Sequence, residues 1–192
     1  MDQNLVKIRH ERSLKDFPNL RLEDDEYVEF AFSRARICLL MILCGTAGGL
    51  IFILLAFLLI LIGQSMLDDM GRNFLLIILF ALLAAAVLTG LVALRVYRGN
   101  KLYITNKHVT QFVMNSLVSG SINIIDLASV EDVSFRQDSL LQKLFHYGTL
   151  RLSTVGDETT YTFKYSDISA SDIRAVTKLI SESKKSIGKD KD

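Results

Sequence analysis

Two long hydrophobic stretches without a charged residue dominate the pattern along the chain. The first covers residues 37–62 and the second covers residues 74–94. As α-helices rising 1.5 Å per residue, they would reach about 39 Å and about 31 Å, against about 30 Å for the hydrocarbon core of a bilayer. Soluble proteins seldom contain two helices of this length that are apolar on every side. The pattern therefore predicts a transmembrane hairpin over residues 37–94.

Basic residues stand at the outer ends of both spans. The five that precede the first span or follow the second are Arg34, Arg36, Arg95, Arg98 and Lys101. The connecting loop at residues 63–73 holds one arginine beside Asp68 and Asp69, and we expect it to form a solvated tip. Because lysine and arginine collect on the cytoplasmic side, both termini are predicted to be cytoplasmic in a multi-pass protein of the cell (inner) membrane. The five basic residues are also candidate contacts with an anionic membrane surface, at about 1 kcal/mol each.

Small residues mark one face of each span. Gly45 and Gly49 form a G-x-x-x-G pattern in the first span, and Ala86 and Gly90 belong to a small-residue surface in the second. Small side chains let helix backbones approach closely in lipid, where no hydrophobic drive brings helices together. These four residues are candidate helix-packing positions, either within the hairpin or between subunits. Neither span contains Asp, Glu, Lys, Arg or His, which disfavours a two-helix channel or pump.

After residue 100 the hydrophobic pattern changes to short alternating segments that predict β-strands. The predicted strands cover residues 101–105, 108–114, 121–125, 129–137, 148–155 and 159–165, the last alternating through Tyr161, Phe163 and Tyr165. Helices are predicted at residues 139–147 and 169–183. The second helix has one apolar face, formed by Ile173, Val176, Leu179 and Ile180, which we expect to close one end of the β structure. Strands followed by a helix indicate an α+β design rather than a parallel α/β design.

The segments at the two ends of the chain are mixed in charge. Residues 1–36 form a cytoplasmic N-terminal segment, and its first 21 residues are expected to be a mobile tail or a loosely docked helix. Residues 22–36 fit either a helix that continues into the first span or a strand that joins the C-terminal domain. Residues 184–192 are expected to form a frayed, charged tail.

Several short motifs after the second span resemble those of membrane-anchored bacterial pleckstrin-homology (PH) domains. They are Lys-Leu-Tyr-Ile-Thr-Asn at 101–106, Ile-Asp-Leu at 125–127 with Val130 and Val133, and Leu-Phe-His-Tyr-Gly-Thr-Leu at 144–150. The resemblance covers roughly residues 22–182. It implies a two-helix hairpin followed, at residues 95–183, by a PH-like bent sheet or barrel capped by a C-terminal helix. Arg34-Ala35-Arg36 departs from the Arg-x-His that many members carry before the first span.

The polar residues form no recognisable catalytic constellation. His10, His108 and His146 lie in separate elements, without another His or Cys at metal-ligand spacing. Cys38 and Cys44 lie six residues apart in the first span, where a helix would point them in different directions. No phosphate-binding, dinucleotide-binding or hydrolase motif occurs. We therefore predict no catalytic, cofactor-binding or metal-binding residue, and the net charge of +1 gives no basic surplus for binding nucleic acid.

These observations favour a non-enzymatic scaffold on the cytoplasmic face of the membrane. We expect a membrane-anchored PH-like module, in contact with membrane lipid, that binds a protein partner or assembles with itself as a homo-oligomer. Recognition of anionic lipid by the domain surface is the alternative, although the turn at residues 106–107 offers only Lys107, with Lys101 at the strand start. An oligomeric pore built from the two spans is a third hypothesis.

Overall fold

The computed structural model describes residues 3–63, 68–154 and 160–189. The described chain forms two compact units: a helical unit, Arg36–Tyr97, and a β-unit that joins the residues up to Ala35 with those from Arg98 onward. In chain order the elements are α1 (Gln3–Asp16), β1 (Val28–Ser33), α2 (Arg36–Ile62), α3 (Asp69–Gly99), β2 (Lys101–Thr105), β3 (His108–Met114), β4 (Gly120–Asp126), a 3₁₀ turn (Leu127–Ser129), β5 (Val130–Arg136), α4 (Leu140–Leu144), β6 (Gly148–Thr154), β7 (Thr160–Ser166) and α5 (Ala170–Lys189).

Helices α2 and α3 are apolar over most of their length and bury almost none of it. Their most hydrophobic windows have mean hydropathies of 2.7 and 2.9, and no residue of those windows is buried inside the chain. Both helices are therefore long and apolar enough to cross a membrane. The two helices approach closely at Gly90, where a Cβ atom would overlap Cγ2 of Thr46.

Helix α3 is longer than the apolar stretch at residues 74–94, because polar residues extend it at both ends. Asp68 accepts a hydrogen bond from the Gly71 N–H at 3.2 Å, as N-capping side chains do, and Arg72 pairs with Asp69 at 2.9 Å. The prediction of a loop over residues 63–73 was wrong from Asp69 onward, and residues 64–67 lie outside the described residues. Hydropathy identifies only the apolar part of a helix. The start of the helix is set by N-capping, here by Asp68, and so lies outside the apolar stretch.

Four antiparallel strands form the first sheet, in the order β1-β2-β3-β4. Strand β1 comes from the N-terminal segment and pairs Phe32 with Leu102 and Ser33 with Lys101. Of the two alternatives for residues 22–36, the strand is therefore the correct one. The buried inward-facing side chains of this sheet are Phe32, Leu102, Ile104, Val109 and Ile125.

Three antiparallel strands form the second sheet, in the order β5-β6-β7. Its inward-facing side chains are Val133, Phe135, Leu150, Leu152, Tyr161 and Phe163. The predicted alternation in β7 was wrong at Tyr165. That residue has a φ of 60°, which breaks the regular strand, and it is 42% exposed.

The two sheets meet at one corner and do not close into a barrel. The end of β1 reaches β7 through a bridge between Arg34 and Ser166, and the Ala35 N–H donates to the Tyr165 carbonyl at 2.7 Å. Among the described residues no ladder joins β4 to β5. Helix α5 packs there against the 3₁₀ turn and β5, with Val176 and Ile180 buried and Ile173 and Leu179 partly buried against the same core. The capping helix is confirmed, whereas the barrel is an open pair of sheets.

Both helices of the C-terminal region differ from prediction at their ends. Helix α4 covers only Leu140–Leu144, because Ser139 caps it in a capping box with Gln142 and His146 then takes a φ of 54°. The helix therefore ends before Gly148, which the packing requires to be glycine: a Cβ atom there would overlap the Arg136 carbonyl and the Phe135 ring.

Helix α5 begins as its sequence predicts. The Ser169 N–H donates to the Asp172 carboxylate at 3.0 Å, and the Asp172 N–H donates to the Ser169 hydroxyl at 3.2 Å, so the two residues form a capping box. The helix continues to Lys189, so residues 184–189 are helical rather than frayed. Residues 190–192 of the predicted tail lie outside the described residues.

The N-terminal helix is docked on the β-unit rather than mobile. The Ser13 hydroxyl accepts a hydrogen bond from the Val28 N–H at 3.0 Å, and Arg9 pairs with Glu29 at 3.1 Å. Just after α1, the Phe17 ring packs edge-on against Tyr103 with centroids 5.2 Å apart. Helix α1 is polar and makes few contacts with the sheet. It therefore shields part of the sheet from solvent without forming a hydrophobic core of its own.

A buried carboxylate fastens the N-terminal segment to the turn between β2 and β3. Glu26 is 3% exposed; its carboxylate accepts hydrogen bonds from the Thr105 hydroxyl at 2.5 Å and the Glu23 N–H at 2.9 Å, and lies 3.0 Å from Nδ1 of His108. Burial raises the pKa of this carboxyl, but the hydrogen bonds from Thr105, Glu23 and His108 outweigh burial and hold the pKa below its usual value. The ionised form of Glu26 therefore stabilises the attachment of the segment.

Replacing one buried isoleucine tests whether α5 belongs to the core of the β-unit. Ile180 is 5% exposed and Ile122 is 60% exposed, so the same isoleucine-to-alanine substitution can be compared at a buried and at an exposed position. We expect Ile180→Ala to lower the free energy of unfolding by about 2–4 kcal/mol and Ile122→Ala to change it by less than about 0.5 kcal/mol. Denaturant unfolding in mild detergent measures both variants. Equal losses would contradict the assigned core.

Acid titration tests the role of Glu26. Because its folded-state pKa is lowered, the ionised carboxylate stabilises the fold above the unfolded-state pKa, and this contribution is lost as the pH falls through the folded-state value. We expect stability to decline as the pH falls through the lowered folded-state pKa of this carboxyl, and Glu26→Gln to weaken that dependence. At neutral pH the variant should lose about 1–3 kcal/mol.

Thermal unfolding at several pH values in mild detergent provides the measurement. The matched control is Glu182→Gln, because Glu182 is an exposed carboxylate on α5. An acid dependence that is the same in the native protein and in Glu26→Gln would show that Glu26 does not hold the segment.

Candidate functional site

One end of the β-unit contains both places at which the chain passes to and from the helical unit. The chain leaves after β1 at Ala35 and returns just before β2, and Ser33 and Lys101 pair at these two strand ends. The Asn100 side chain donates to the Met114 carbonyl at 2.9 Å and accepts from the Met114 N–H at 3.3 Å. The turn between β3 and β4 therefore lies at this end as well, and we call it the connection end.

The loop that contains α4 also belongs to the connection end. Arg34, next to the exit of the chain, bridges to Ser166, and Ser166 pairs across the second sheet with Gly148. The Ser166 hydroxyl donates to the Gly148 carbonyl at 3.2 Å, and the Tyr147 and Tyr165 rings lie 6.3 Å apart. Since Gly148 directly follows the α4 loop, this loop stands beside the exit of the chain.

A polar cavity of about 200 Å³ opens between the two sheets at the connection end. Among the described residues that line it, two are cationic and none is acidic. The polar lining residues are Arg34, Asn100, Gln111, Asn115, Thr162 and Lys164. A site with this composition suits an anionic group, because fixed positive charge and amide or hydroxyl donors stabilise negative charge.

Buried amides hold the walls of this cavity in place. Gln111 is 5% exposed and donates to the Thr162 carbonyl at 2.9 Å, which links the first sheet to the second. Asn100 is 4% exposed and fixes the turn after β3 through its two hydrogen bonds to Met114. The Arg34 guanidinium lies 6.0 Å from the centre of the Tyr165 ring, within the range of a cation–π contact. The walls are therefore ordered by the fold.

Apolar side chains project from both loops of the connection end. Val118, in the turn between β3 and β4, is 96% exposed; in α4, Leu140 is 84% exposed and Leu144 is 69% exposed. The α4 loop is well ordered despite this exposure, because Gln137 donates to the carbonyls of Gln142 and Tyr147, both at 3.1 Å. The apolar groups are therefore presented by fixed backbone.

Strand β4 carries a second exposed apolar surface. Ile122 and Ile124 are 60% and 66% exposed on its outer face, whereas Ile125 faces the core. Ile122 pairs with Phe112 on β3, whose ring packs edge-on against Tyr103 at 5.8 Å. Within the described residues β4 is an edge strand of its sheet. We call Ile122, Ile124 and the free edge of this strand the β4 face.

The five basic residues that flank the spans occupy different environments. Arg34 is partly buried and lines the cavity, whereas the other four are exposed. Of these, Arg36 is the first residue of α2, Arg95 and Arg98 lie in the last turns of α3, and Lys101 begins β2. Their contact with a membrane surface stays a prediction.

The four small residues proposed for helix packing fall into two groups. Gly90 meets Thr46 across the helix pair, and Ala86 lies one turn away on the same helix. At Gly45 and Gly49, a Cβ atom would meet no neighbouring atom within 4 Å. Gly90 therefore lies against Thr46, whereas Gly45 and Gly49 face no neighbour within the described part of the chain, and the helix-packing role of all four residues stays a prediction.

Sequence reasoning missed the cavity and the exposed state of the apolar loops. One signal was available: Gln111 occupies an inward-facing position of β3 between Val109 and Val113, where an apolar residue would be ordinary. No comparable signal existed for Lys164, because its place beside Arg34 depends on how the two sheets meet. In the described part of the chain no group of histidine, cysteine, aspartate or glutamate side chains could hold a metal ion.

Comparison with known proteins agrees with the motifs at residues 101–106, 125–133 and 144–150. The family model described as bacterial PH domain matches residues 36–184. A similar solved structure is the crystal structure of a DUF1696 family protein with a pleckstrin-homology domain from Shewanella loihica PV-4, at 11% sequence identity and a TM-score of 0.32, covering 44% of this chain and 70% of that chain. No curated protein matches. Because the family match spans more than half of its length, the chain belongs to the bacterial PH domain family.

Proposed function

We propose that this protein is a membrane-anchored, non-enzymatic scaffold whose PH-like unit binds a partner protein at the cytoplasmic face of the cell membrane. PH domains are generally binding modules for lipids or proteins. The observation that carries the proposal is the contrast between the two units. The β-unit has its own buried core, whereas α2 and α3 have no buried residue in their apolar windows.

Anchoring is favoured by the apolar side chains that α2 and α3 expose. Leu54, Phe52 and Ile62 are 65%, 73% and 73% exposed, and many similar side chains accompany them. Removing one such side chain from water is worth about 1.5–3 kcal/mol. Lipid supplies the apolar surroundings that the chain itself does not provide for these helices.

Strand pairing supports the same side of the membrane for both termini. Strand β1 precedes α2 and β2 follows α3, yet the two are neighbours in one sheet. Two strands that pair must lie in the same compartment, so the helices between them must cross the membrane an even number of times. The basic residues at the outer ends of the spans favour the cytoplasm for that compartment.

The β4 face is the surface that best supports a protein partner. Edge strands present unpaired backbone groups and are usually protected by lysine, proline or bulges. Strand β4, Gly-Ser-Ile-Asn-Ile-Ile-Asp, contains neither lysine nor proline and exposes two isoleucines. An extended peptide can add to such an edge through main-chain hydrogen bonds while its side chains contact the isoleucines. A second copy of the chain, meeting through Gly45 and Gly49, is the self-assembly form of the same proposal.

Extraction and protease protection test the anchoring and the orientation. The full-length protein should stay in the membrane pellet after alkaline carbonate washing, because two apolar helices hold it there. In sealed inverted membrane vesicles, tags at both termini should be accessible to protease from the outside. Release into the supernatant, or protection of either tag, would contradict the proposal.

Site-specific photo-crosslinking in cells tests the β4 face. A photoreactive amino acid at Ile124 should give a discrete protein adduct, whereas the same group at Thr177, an exposed position on α5, should give none. Ile122→Lys should abolish the adduct, because a buried lysine opposes docking, while leaving the protein in the membrane. Identical patterns at both positions would rule out the β4 face as the docking surface.

A further inference from the structure

We infer that β4 pairs edge to edge with β4 of a second copy of this chain, in an antiparallel register centred on Asn123. The inference rests on the proposed function, in which a protein partner binds the β4 face, and it names that partner. The first sheets of the two copies, each in the order β1-β2-β3-β4, then form one continuous sheet.

Among the described strands, β4 differs from the three other edge strands in having no protection against pairing. Natural sheet edges are usually protected by bulges, charges or a covering element. The register of β1 shifts next to Val28, whose N–H donates to the Ser13 hydroxyl of α1 at 3.0 Å. The pairings of β5 and β7 with β6 are irregular as well, and Arg34 bridges to β7 at Ser166. Strand β4 has a regular register throughout and no charged residue before its last position.

Two hydrogen bonds show which backbone groups of β4 point to its free edge. The Asn115 N–H donates to the Ser119 carbonyl at 3.0 Å, and the Leu127 N–H donates to the Lys107 carbonyl at 2.8 Å. These bonds lie at the two ends of the β3–β4 ladder, whose register is regular between them. Because hydrogen-bonded and non-hydrogen-bonded pairs alternate, the odd-numbered residues of β4 bond to β3. The N–H and C=O groups of the even-numbered residues, including both isoleucines of the β4 face, therefore point to the free edge.

Strand β4 is self-complementary about Asn123. In an antiparallel pair centred on this residue, Ile122 of one copy lies opposite Ile124 of the other. Both isoleucines have exposed side chains and edge-facing backbone groups, so this register supplies apolar contact and hydrogen bonds at the same positions. Asp126 of one copy lies opposite Gly120 of the other, which keeps the two carboxylates at opposite ends of the ladder.

The neighbouring registers are less favourable. A pair centred on Ile124 would place Ile122 opposite Asp126, and a pair centred on Ile122 would place Ile124 opposite Gly120. The central residue adds to the preference, because Asn123 pairs with the inward-facing Gln111 and its amide would meet its own copy at the axis. Two facing amides can donate to each other's carbonyl, and a buried asparagine pair selects the register of a coiled coil in the same way.

Membrane anchoring makes a contact of one strand from each copy sufficient. A pair of seven-residue strands is a smaller contact than the roughly 1,600 Å² interface of a stable complex in solution. The proposed anchoring by α2 and α3 confines all copies to one membrane, which raises their effective concentration. We therefore expect the pairing in membranes and not in dilute detergent solution.

Cysteine crosslinking of the full-length chain in native membranes tests the register. Cys38 and Cys44 are first replaced by alanine, and either Asn123→Cys or Ser121→Cys is then added. In the proposed register the two copies of position 123 form a non-hydrogen-bonded pair with Cα atoms about 4.5 Å apart, within disulfide range. The two copies of position 121 lie about 14 Å apart, beyond that range. Under a mild oxidant Asn123→Cys should give a disulfide-linked species of twice the chain mass, and Ser121→Cys should give none.

Charged pairs test the contact between the isoleucines. When added to Asn123→Cys, Ile122→Lys with Ile124→Lys places like charges at the facing positions and should abolish the crosslink. Ile122→Lys with Ile124→Glu places each lysine opposite a glutamate of the other copy and should retain the crosslink. Because both isoleucines are exposed, the two variants leave the core unchanged, and membrane sedimentation checks that both stay anchored. Loss in both variants, or retention in both, would overturn the assigned register.

Failure of this inference differs from failure of the proposed function. If Asn123→Cys stays monomeric while the photoreactive group at Ile124 captures a different protein, the second copy is the wrong partner and the β4 face stands. If neither the cysteine nor the photoreactive group gives an adduct, the β4 face itself is wrong. A crosslink of Ser121→Cys as strong as that of Asn123→Cys would overturn the inference, because random collisions would then explain both.

Discussion

The pairing of β1 with β2 is the constraint on which the rest of the architecture depends. These strands are neighbours in one antiparallel sheet, although all of α2 and α3 lies between them in the chain. The sheet can therefore form only after α3 has been made, and the proposed membrane anchoring adds the condition that both ends of the helix pair emerge in one compartment. Because Phe32 and Leu102 meet in the core through this pairing, the fold of the β-unit and the topology of the helices are a single problem.

The insertion of the helices between two paired strands also determines where functional groups gather. The end of β1 carries Arg34, and the start of β2 is preceded by Asn100, so a cationic and an amide side chain come together where the chain passes to the helical unit. The bridge from Arg34 to Ser166 then brings β7, and with it Lys164, to the same opening. The cavity is therefore formed by the way the two sheets meet at this corner. No contiguous sequence motif encodes it.

The sequence was informative where the periodicity was strong. Uncharged stretches indicated α2 and α3, and alternation located the strands and the buried face of α5 through residues such as Val176 and Ile180. Boundaries were less predictable, because capping by Asp68 and Ser139 and the positive φ of His146 outweighed hydropathy. The two sheets and the cavity were not predictable, since they depend on contacts between residues far apart in the chain. For the same reason, the apolar pattern of α4 could not reveal which of its leucines would be exposed.

The two exposed apolar surfaces of the β-unit lie at different distances from the chain connections. The β4 face runs along an edge strand from Gly120 towards Asp126, which pairs with His108 near the polar turn at the opposite end. The connection end has loops, cations and both chain connections. On the proposed function, an extended segment of a partner would add to the β4 edge while its side chains contact Ile122 and Ile124. Because β4 is paired with β3 along its whole length, a partner would meet a preformed edge, which lowers the entropic cost of association.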